Sequence, residues 1–242
     1  MSRVRRRPML WTIVFSVVGT IVGIAICLSI DWFPTQASSA APDIDTLYDV
    51  LLIVSVPIFV LVMAVVFYSV VAFKAQPGDL GDGEPIHGNT RLEVIWVTIP
   101  FIIVSALAAY GWVVLDDIEA KEPGALAVNV TGQQFSWRFD YPNDGKVQVN
   151  QLVLPRGRQV DFRVKTDDVI HDFWVPQFRL KTDAVPGLTT HIRTRPTRVG
   201  TYDVVCAELC GIGHATMRQR VKVVPEAAFD RWIARKGGGG QQ

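Results

Sequence analysis

The sequence predicts a membrane-anchored, all-β protein in which N-terminal transmembrane helices precede a β-sandwich. Two observations carry this expectation. Residues 9–30, 50–73 and 94–115 contain no Asp, Glu, Lys or Arg, and each run has the ~20 residues that an α-helix needs to cross a ~30 Å hydrocarbon core. Past Leu115 no comparable run exists. Instead, short β-rich runs at 125–131, 135–141, 146–154, 159–165, 189–194, 200–205 and 218–224 alternate with turn residues, the spacing of a sandwich or barrel.

Composition agrees with this division. Of 242 residues 49% are hydrophobic, too many for a soluble chain of ordinary polarity but natural for a small domain joined to membrane segments. The boundaries expected are a signal or anchor segment at 1–41, a two-helix transmembrane hairpin at 42–115, an extracytoplasmic domain at 116–236 and a flexible tail at 237–242. A formal net charge of +1, with no basic patch interleaved with stacking aromatics, excludes a nucleic-acid partner.

Orientation follows from Arg3, Arg5, Arg6 and Arg7, which precede the first apolar run and hold it with its N-terminus in the cytoplasm. Ser38-Ser39-Ala40 before Ala41-Pro42 resembles a small-residue cleavage site. Cleaved or retained, the parity is the same: the chain is outside at Asp43, inside near Gly81 and outside again after Leu115. Cys27 fits a lipid-attachment box badly, because bulky Ile26 precedes it, and reads as an apolar helix residue. Pro57 and Pro100 fall inside the second and third runs, where neighbouring helices re-satisfy the freed backbone groups.

In the soluble part, Val160-Asp-Phe162-Arg-Val164-Lys165 alternates strictly, which predicts a strand with the apolar side chains buried and the charges in water. Burial on one side fits an antiparallel sheet. Pro142-Asn-Asp-Gly145 and Pro155-Arg-Gly157 read as turns. Phe229, Trp232 and Ile233 sit at helical spacing, so a short terminal helix is expected to cover the sandwich.

The chemistry concentrates in Cys206-Ala-Glu208-Leu-Cys210-Gly-Ile-Gly-His214-Ala-Thr-Met217, with His171 upstream in Val169-Ile-His171-Asp-Phe-Trp-Val-Pro176. Thiolate, thioether and imidazole together favour copper, and Cys, His and Met on one loop with a distant His are the ligands of blue-copper sites. One copper needs one cysteine. The second, four residues on, lets two thiolates bridge two ions, leaving one histidine for each, Met217 as a weak axial ligand to one ion and a backbone carbonyl for the other. A disulfide is the ordinary reading of an extracytoplasmic cysteine pair, but it has no use for His171, His214 and Met217. Structural zinc prefers Cys and His without methionine, and a Cys-x2-Cys knuckle is absent. His87 and His191 have no ligand-like neighbours in sequence and read as surface residues. With every inner position filled by protein, the site lacks the open position of a catalytic metal and suits an electron relay.

This loop, the upstream histidine and the paired spans resemble subunit II of the cytochrome c oxidases over residues 45–236. The resemblance implies a cupredoxin-like domain with a binuclear CuA centre, receiving electrons from a cytochrome c and passing them to haem and copper in subunit I, with subunit III as a further partner. Oxygen reduction coupled to proton translocation then occurs in the complex, in the cell membrane. It implies that the Glu208 carbonyl reaches copper while its carboxylate serves a magnesium ion shared with subunit I, and that Glu93, at the cytoplasmic mouth of the third span, lies on a proton path. Phe135 stands where the family's electron-accepting tryptophan is usual, with Trp137 beside it. Leu188 replaces a usual arginine near the subunit I interface, in the segment Lys181-Thr-Asp-Ala-Val-Pro-Gly187.

Donor docking in the family uses acidic surface. After Leu115 there are eighteen Lys and Arg against fifteen Asp and Glu, a net of +3, so the domain as a whole is not acidic. Asp140, Asp144, Asp167, Asp168 and Asp172 are the candidates for a local patch. Three other readings share parts of the pattern: a nitric oxide reductase relay subunit, a membrane-anchored copper-binding module, and the quinol-oxidase version of the subunit, which lacks copper ligands. The absence of Cys-x-x-Cys-His excludes a haem c fused to this chain.

Overall fold

The computed structural model describes residues 6–74, 77, 78, 81, 85, 87–144 and 147–238. Arg3 and Arg5 of the cationic cluster, Gly145 of the expected turn and residues 239–242 of the expected tail lie outside them. Three long helices come first: α1 (Arg6–Ser29), α2 (Ala41–Ala72) and α3 (Thr90–Glu119). All three are long and apolar enough to cross a membrane. Asn89 starts α3 by accepting hydrogen bonds at Oδ1 from the N–H groups of Arg91 and Leu92, at 3.1 and 3.3 Å, the usual service of an N-cap side chain. Pro57 and Pro100 are accommodated inside α2 and α3.

Helices α1 and α2 meet through small residues. A Cβ added at Gly19 would stand 3.1 Å from Val60 Cγ1, and one at Gly23 would stand 2.8 Å from Val56 Cγ1. Gly19 and Gly23 form a small-x3-small pair, which lets backbones approach where lipid offers no hydrophobic drive for association.

Ten strands follow: β1 (Leu126–Gln133), β2 (Ser136–Tyr141), β3 (Val147–Val149), β4 (Leu152–Pro155), β5 (Val160–Thr166), β6 (His171–Val175), β7 (Leu180–Ala184), β8 (Thr190–Thr194), β9 (Gly200–Cys206) and β10 (Arg218–Val224). They form two five-stranded sheets, ordered β3-β2-β1-β5-β8 and β4-β10-β9-β6-β7. The predicted architecture, transmembrane helices followed by a β-sandwich, is the observed one.

Four local expectations change. The run at 146–154 splits at Asn150–Gln151, sending β3 to one sheet and β4 to the other. The sheets are not purely antiparallel, because β1 pairs in parallel with β5, and β10 with β4. Asp161 does not reach water: it is 3% exposed, with Arg193 Nε at 3.2 Å and Lys121 Nζ at 4.0 Å. Those cations come from β8 and from the segment after α3, elements that strand alternation alone does not bring into view. Finally, β6 and β7 form a hairpin that the sequence did not signal as strands.

The core behaves as expected where alternation is clean. Val160, Phe162 and Val164 are fully buried, and so are Phe139, Tyr141 and Phe173. The terminal helix α4 (Glu226–Gly238) puts Phe229 and Trp232 against the Tyr141 ring. The Tyr141 hydroxyl donates to the Val153 carbonyl at 2.7 Å and accepts from the Val153 N–H at 2.9 Å, tying β2 to β4 across the core.

Residues Trp32–Asp45 belong to the same compact unit as the sheets and run over them as a strap. Ala37 N–H donates to Gln177 O, Ser39 N–H to Arg195 O and Thr197 N–H to Ala37 O, each at 2.9 Å. The Ser38 hydroxyl donates to Phe178 O at 2.8 Å. The stretch that resembles a cleavage site is thus threaded into the β unit, with Ala37 and Ala41 fully buried. Arg179 locks the strap, donating to both oxygens of Asp45 at 2.7 and 2.8 Å and to Pro34 O at 2.8 Å, with its guanidinium over the Phe33 ring.

Because the Arg179 side chain is only 5% exposed, removing its partner leaves a charge that water cannot reach. Asp45→Ala is expected to destabilise the β unit by about 3 kcal/mol, the cost of stranding one member of a buried pair. Adding Arg179→Met should recover most of it. Thermal unfolding followed by near-ultraviolet circular dichroism checks both; equal midpoints for Asp45→Ala and the wild type would contradict the account.

Candidate metal centre

Three strand ends build the site. Strand β9 delivers Cys206, whose N–H donates to Met217 O at 3.2 Å and so closes the loop onto the start of β10. Strand β6 begins with His171 and pairs with β9 through Phe173 and Cys206. The Ala207 N–H donates to Asp172 O at 3.0 Å, fixing the loop's first residue to β6. A one-turn 3-10 helix, His214–Thr216, brings the chain back.

The geometry gathers every donor that the loop spacing singled out. Cys206 Sγ lies 3.8 Å from Cys210 Sγ, 3.8 Å from His171 Nδ1 and 3.3 Å from the Glu208 carbonyl oxygen. Cys210 Sγ lies 3.7 Å from His214 Nδ1 and 3.8 Å from Met217 Sδ. Among the described residues, His171, Cys206 and Cys210 form a metal-competent group with their ligand atoms within 4.8 Å of one another. Metal–donor bonds of ~2.0–2.3 Å in a tetrahedral site put neighbouring donors ~3.4–3.8 Å apart, which is the spacing seen here. A disulfide is not what holds the pair, since both cysteines are free and 3.8 Å is nearly twice the ~2.05 Å of an S–S bond.

Burial sharpens the demand for a cation. His171 and Met217 are fully buried and Cys210 is 4% exposed. Burial first, then the neighbouring Cys206, pushes the Cys210 thiol up to about 11, so two adjacent thiolates form here only against a positive charge.

Outer contacts orient the ligands. His171 Nε2 lies 2.8 Å from Asp168 Oδ1, so the hydrogen-bond network assigns the proton to Nε2 and leaves the Nδ1 lone pair facing Cys206. The Asp168 carboxyl is held down to about 2: burial opposes ionisation, but bonds from the Gln134 N–H, His171, the Val169 N–H and the Thr166 hydroxyl outweigh it. Trp137, 1% exposed, sets its ring edge-on to His171 and Phe173. Phe135 backs the loop, where a Cβ on Gly213 would stand 2.4 Å from its ring. Gln134 Nε2 donates to Cys210 O at 2.6 Å.

Other expected residues fall elsewhere. Glu93 occupies the first turn of α3. His87 is exposed, and His191 lies 3.8 Å from Asp161. The acids expected to dock a donor take different positions. Asp172 is 5% exposed and turned inward, 4.0 Å from Lys181 Nζ; burial pushes its carboxyl up to about 6 against the pull of Lys181, with Asp183 and Glu208 adding to the rise. Asp140 and Asp144 lie at the far end of β2, whose near end at Ser136 adjoins the copper-type loop. Asp167 is paired with Arg138 at 3.3 Å. Alternation tells which face a side chain takes, not which end of the sandwich it occupies.

Comparison with known proteins decides the family. The description "Cytochrome C oxidase subunit II, transmembrane domain" matches residues 25–114, and "Cytochrome C oxidase subunit II, periplasmic domain" matches residues 146–224. Cytochrome c oxidase subunit 2 of Thermostichus vulcanus is 33% identical over 92% of this chain and 84% of the relative. The chain belongs to the cytochrome c oxidase subunit II family. The Synechocystis subunit 2 is 28% identical over 90% of this chain and 82% of its own length. Among solved structures, the periplasmic domain of subunit II from Bradyrhizobium japonicum is 30% identical, covering 48% of this chain and 97% of that domain at a TM-score of 0.46. Membership makes the chain a component of a haem-copper oxidoreductase complex, with an extracytoplasmic domain of cupredoxin-like fold.

Asp168 was absent from the ligand set read from sequence, although an acid three residues before a candidate ligand histidine was the signal available. Asp168→Ala is expected to weaken metal retention about 10–100-fold, the usual effect of losing a ligand's outer hydrogen-bond partner; chelator competition measures it. Gly213→Ala should force the Phe135 ring aside at a cost of about 1–3 kcal/mol, and Phe135→Leu in the same chain should relieve most of that in denaturant unfolding.

Proposed function

We propose that this subunit holds a binuclear copper centre and relays electrons from a cytochrome c to the haem and copper centres of subunit I, in a plasma-membrane oxidase that reduces oxygen and moves protons. One observation carries the reading: two cysteine sulfurs 3.8 Å apart, each with its own histidine nitrogen at 3.7–3.8 Å, and a thioether and a carbonyl completing the set. Two copper ions bound there would supply a one-electron couple shared across both metals.

Every other part of the task falls to the chain's own residues. Cys206, Cys210, His171 and His214 would hold the copper ions as the strong donors, with Met217 and the Glu208 carbonyl as the weak ones. Asp168 and Trp137 keep the His171 ring from turning. Strands β6, β9 and β10 supply a rigid frame, so the donor positions are set before metal arrives and change little when charge does. Filling all positions with protein leaves none for oxygen, which fits a relay and assigns oxygen reduction to another subunit.

Two further roles extend the proposal. The Glu208 carboxylate, on an exposed loop position, offers a hard oxygen to magnesium shared with subunit I. Glu93, an ionisable side chain at the start of a membrane span, serves as the mouth of a proton path. Three helices long and apolar enough to cross a membrane support a multi-pass topology with the β unit on the outer side of the cell membrane.

Low-temperature electron paramagnetic resonance of the copper-loaded protein should give a seven-line pattern from one unpaired electron shared by two copper nuclei. Cys210→Ser should reduce this to four lines or abolish it. A four-line spectrum in the wild type, or a Cys206–Cys210 disulfide in the copper-replete protein, would defeat the relay reading.

A further inference from the structure

Ser38-Ser39-Ala40 resembles the small-residue end of a secretory leader, yet a cut after Ala40 would strip the strap from the β unit. The carbonyls of Gln177, Phe178 and Arg195 and the N–H of Thr197 would all lose their partners. Ser38 also pairs with Pro196 as a short antiparallel bridge. Native structures rarely leave buried backbone groups unpaired. Ala37, Ser38 and Ala40 are each 7% exposed or less, and Phe178, beneath Ser38, is 1% exposed, so the same cut would open a closed seam to water. Arg179 would keep Asp45 and the Pro176 carbonyl but lose the Pro34 carbonyl and the Phe33 ring. Gln36, which donates to Asp45 Oδ2 at 2.8 Å, would go with them. The strap is a working part of the β unit.

Upstream, α1 carries features that a targeting segment does not use. A leader needs an apolar core of roughly 7–15 residues and no particular face. Leu10–Ser29 is a 20-residue apolar span, long enough to cross the hydrocarbon core. Gly19 and Gly23 stand one helical turn apart on the side that meets α2, where an added Cβ would press on Val60 or Val56. Backbones that approach this closely make a lasting contact in lipid, and a leader destined for removal gains nothing from it. Only Ile30 and Asp31 separate the end of α1 from Trp32, the first residue of the strap, so no free linker lies between helix and strap.

We propose that α1 is retained as a permanent third membrane span packed on α2, and that Ser38–Ala40 is a structural strap and not a processing site. The mature N-terminus then stays in the cytoplasm with Arg6 and Arg7, where processing would have left an extracytoplasmic end at Ala41. The inference does not depend on what the metal centre does.

Intact mass spectrometry and N-terminal sequencing of the subunit from the purified whole oxidase test it directly. The chain should start at or before Met9. A start at Ala41, at a lipid-modified Cys27 or anywhere else past Met9 would overturn the proposal. The contact with α2 is tested by Gly19→Leu combined with Gly23→Leu. Both changes make α1 more apolar, so a mere leader would work as well or better, whereas a packed span loses its fit and the subunit recovered in assembled oxidase should fall about threefold or more. Val18→Leu combined with Val22→Leu, at exposed positions on the same helix, adds apolar bulk away from the glycines and should leave recovery unchanged. Wild-type recovery from the glycine pair, or equal losses from both pairs, would overturn the packed third span.

Discussion

Two buried sulfurs 3.8 Å apart constrain the rest of the extracytoplasmic unit. Left alone, such a pair oxidises to a disulfide or stays protonated, and neither state uses the histidines aimed at it. Holding the sulfurs short of bonding distance requires that the backbone carrying them be fixed from both sides. The Cys206–Met217 and Ala207–Asp172 backbone bonds do this by fastening the loop's base to β10 and β6. The mixed sheet is the means: β9 lies between β10 and β6, so one strand end can present a thiolate to ligands arriving from both neighbours.

What was legible in the sequence follows from range. Cys206, Glu208, Cys210, His214 and Met217 lie within twelve residues, so their convergence needs only one loop, and spacing predicts it. His171 was legible by residue type, since a copper loop of this kind requires a distant imidazole. Its bond to Asp168 depends on the bend between β5 and β6, and the packing of Phe135 against Gly213 depends on a hairpin from the other sheet. Neither has a local signature. The misplaced acids have the same origin. Asp140 lies on a correctly read strand and Asp144 in the turn that follows it, but their distance from the site is set by strand direction, which alternation leaves undetermined. Asp161 is buried because Arg193 and Lys121 reach it from elements far away in sequence.

The strap is a second case where composition admits more than one physical use. Small residues at 37–41 suit a peptidase's binding groove, and they equally suit a chain that must lie flat against a sheet. Here the second use is realised: Ala37 and Ser38 pack with almost no exposed surface, and any larger side chain would lift the strap from Gln177, Phe178 and Arg195. The same logic operates inside the membrane unit, where Gly19 and Gly23 admit Val60 and Val56. In both places smallness serves contact, and only the partner surface reveals which contact.

An electron relay must satisfy opposed requirements, because shielding the metal ligands from water keeps their geometry constant while access for a donor demands a short path from the surface. In the proposed relay these requirements fall on different residues. His171, Met217 and both cysteines are buried, which shields the centre and leaves it held by sheet hydrogen bonds. His214 is partly exposed, so among the side-chain ligands it is the imidazole of this residue that approaches the surface. Ile212, two residues before it in the same loop, is fully exposed, an apolar side chain that could be covered without any charge having to be desolvated. A salt-bridged docking face would place unpaired carboxylates next to a centre whose own thiolates are negative, raising the cost of reducing it. Asp167 is paired with Arg138, while Asp168, committed to His171, keeps its charge and helps to raise the Cys210 thiol, so the bond that orients one ligand adds to the site's demand for a cation.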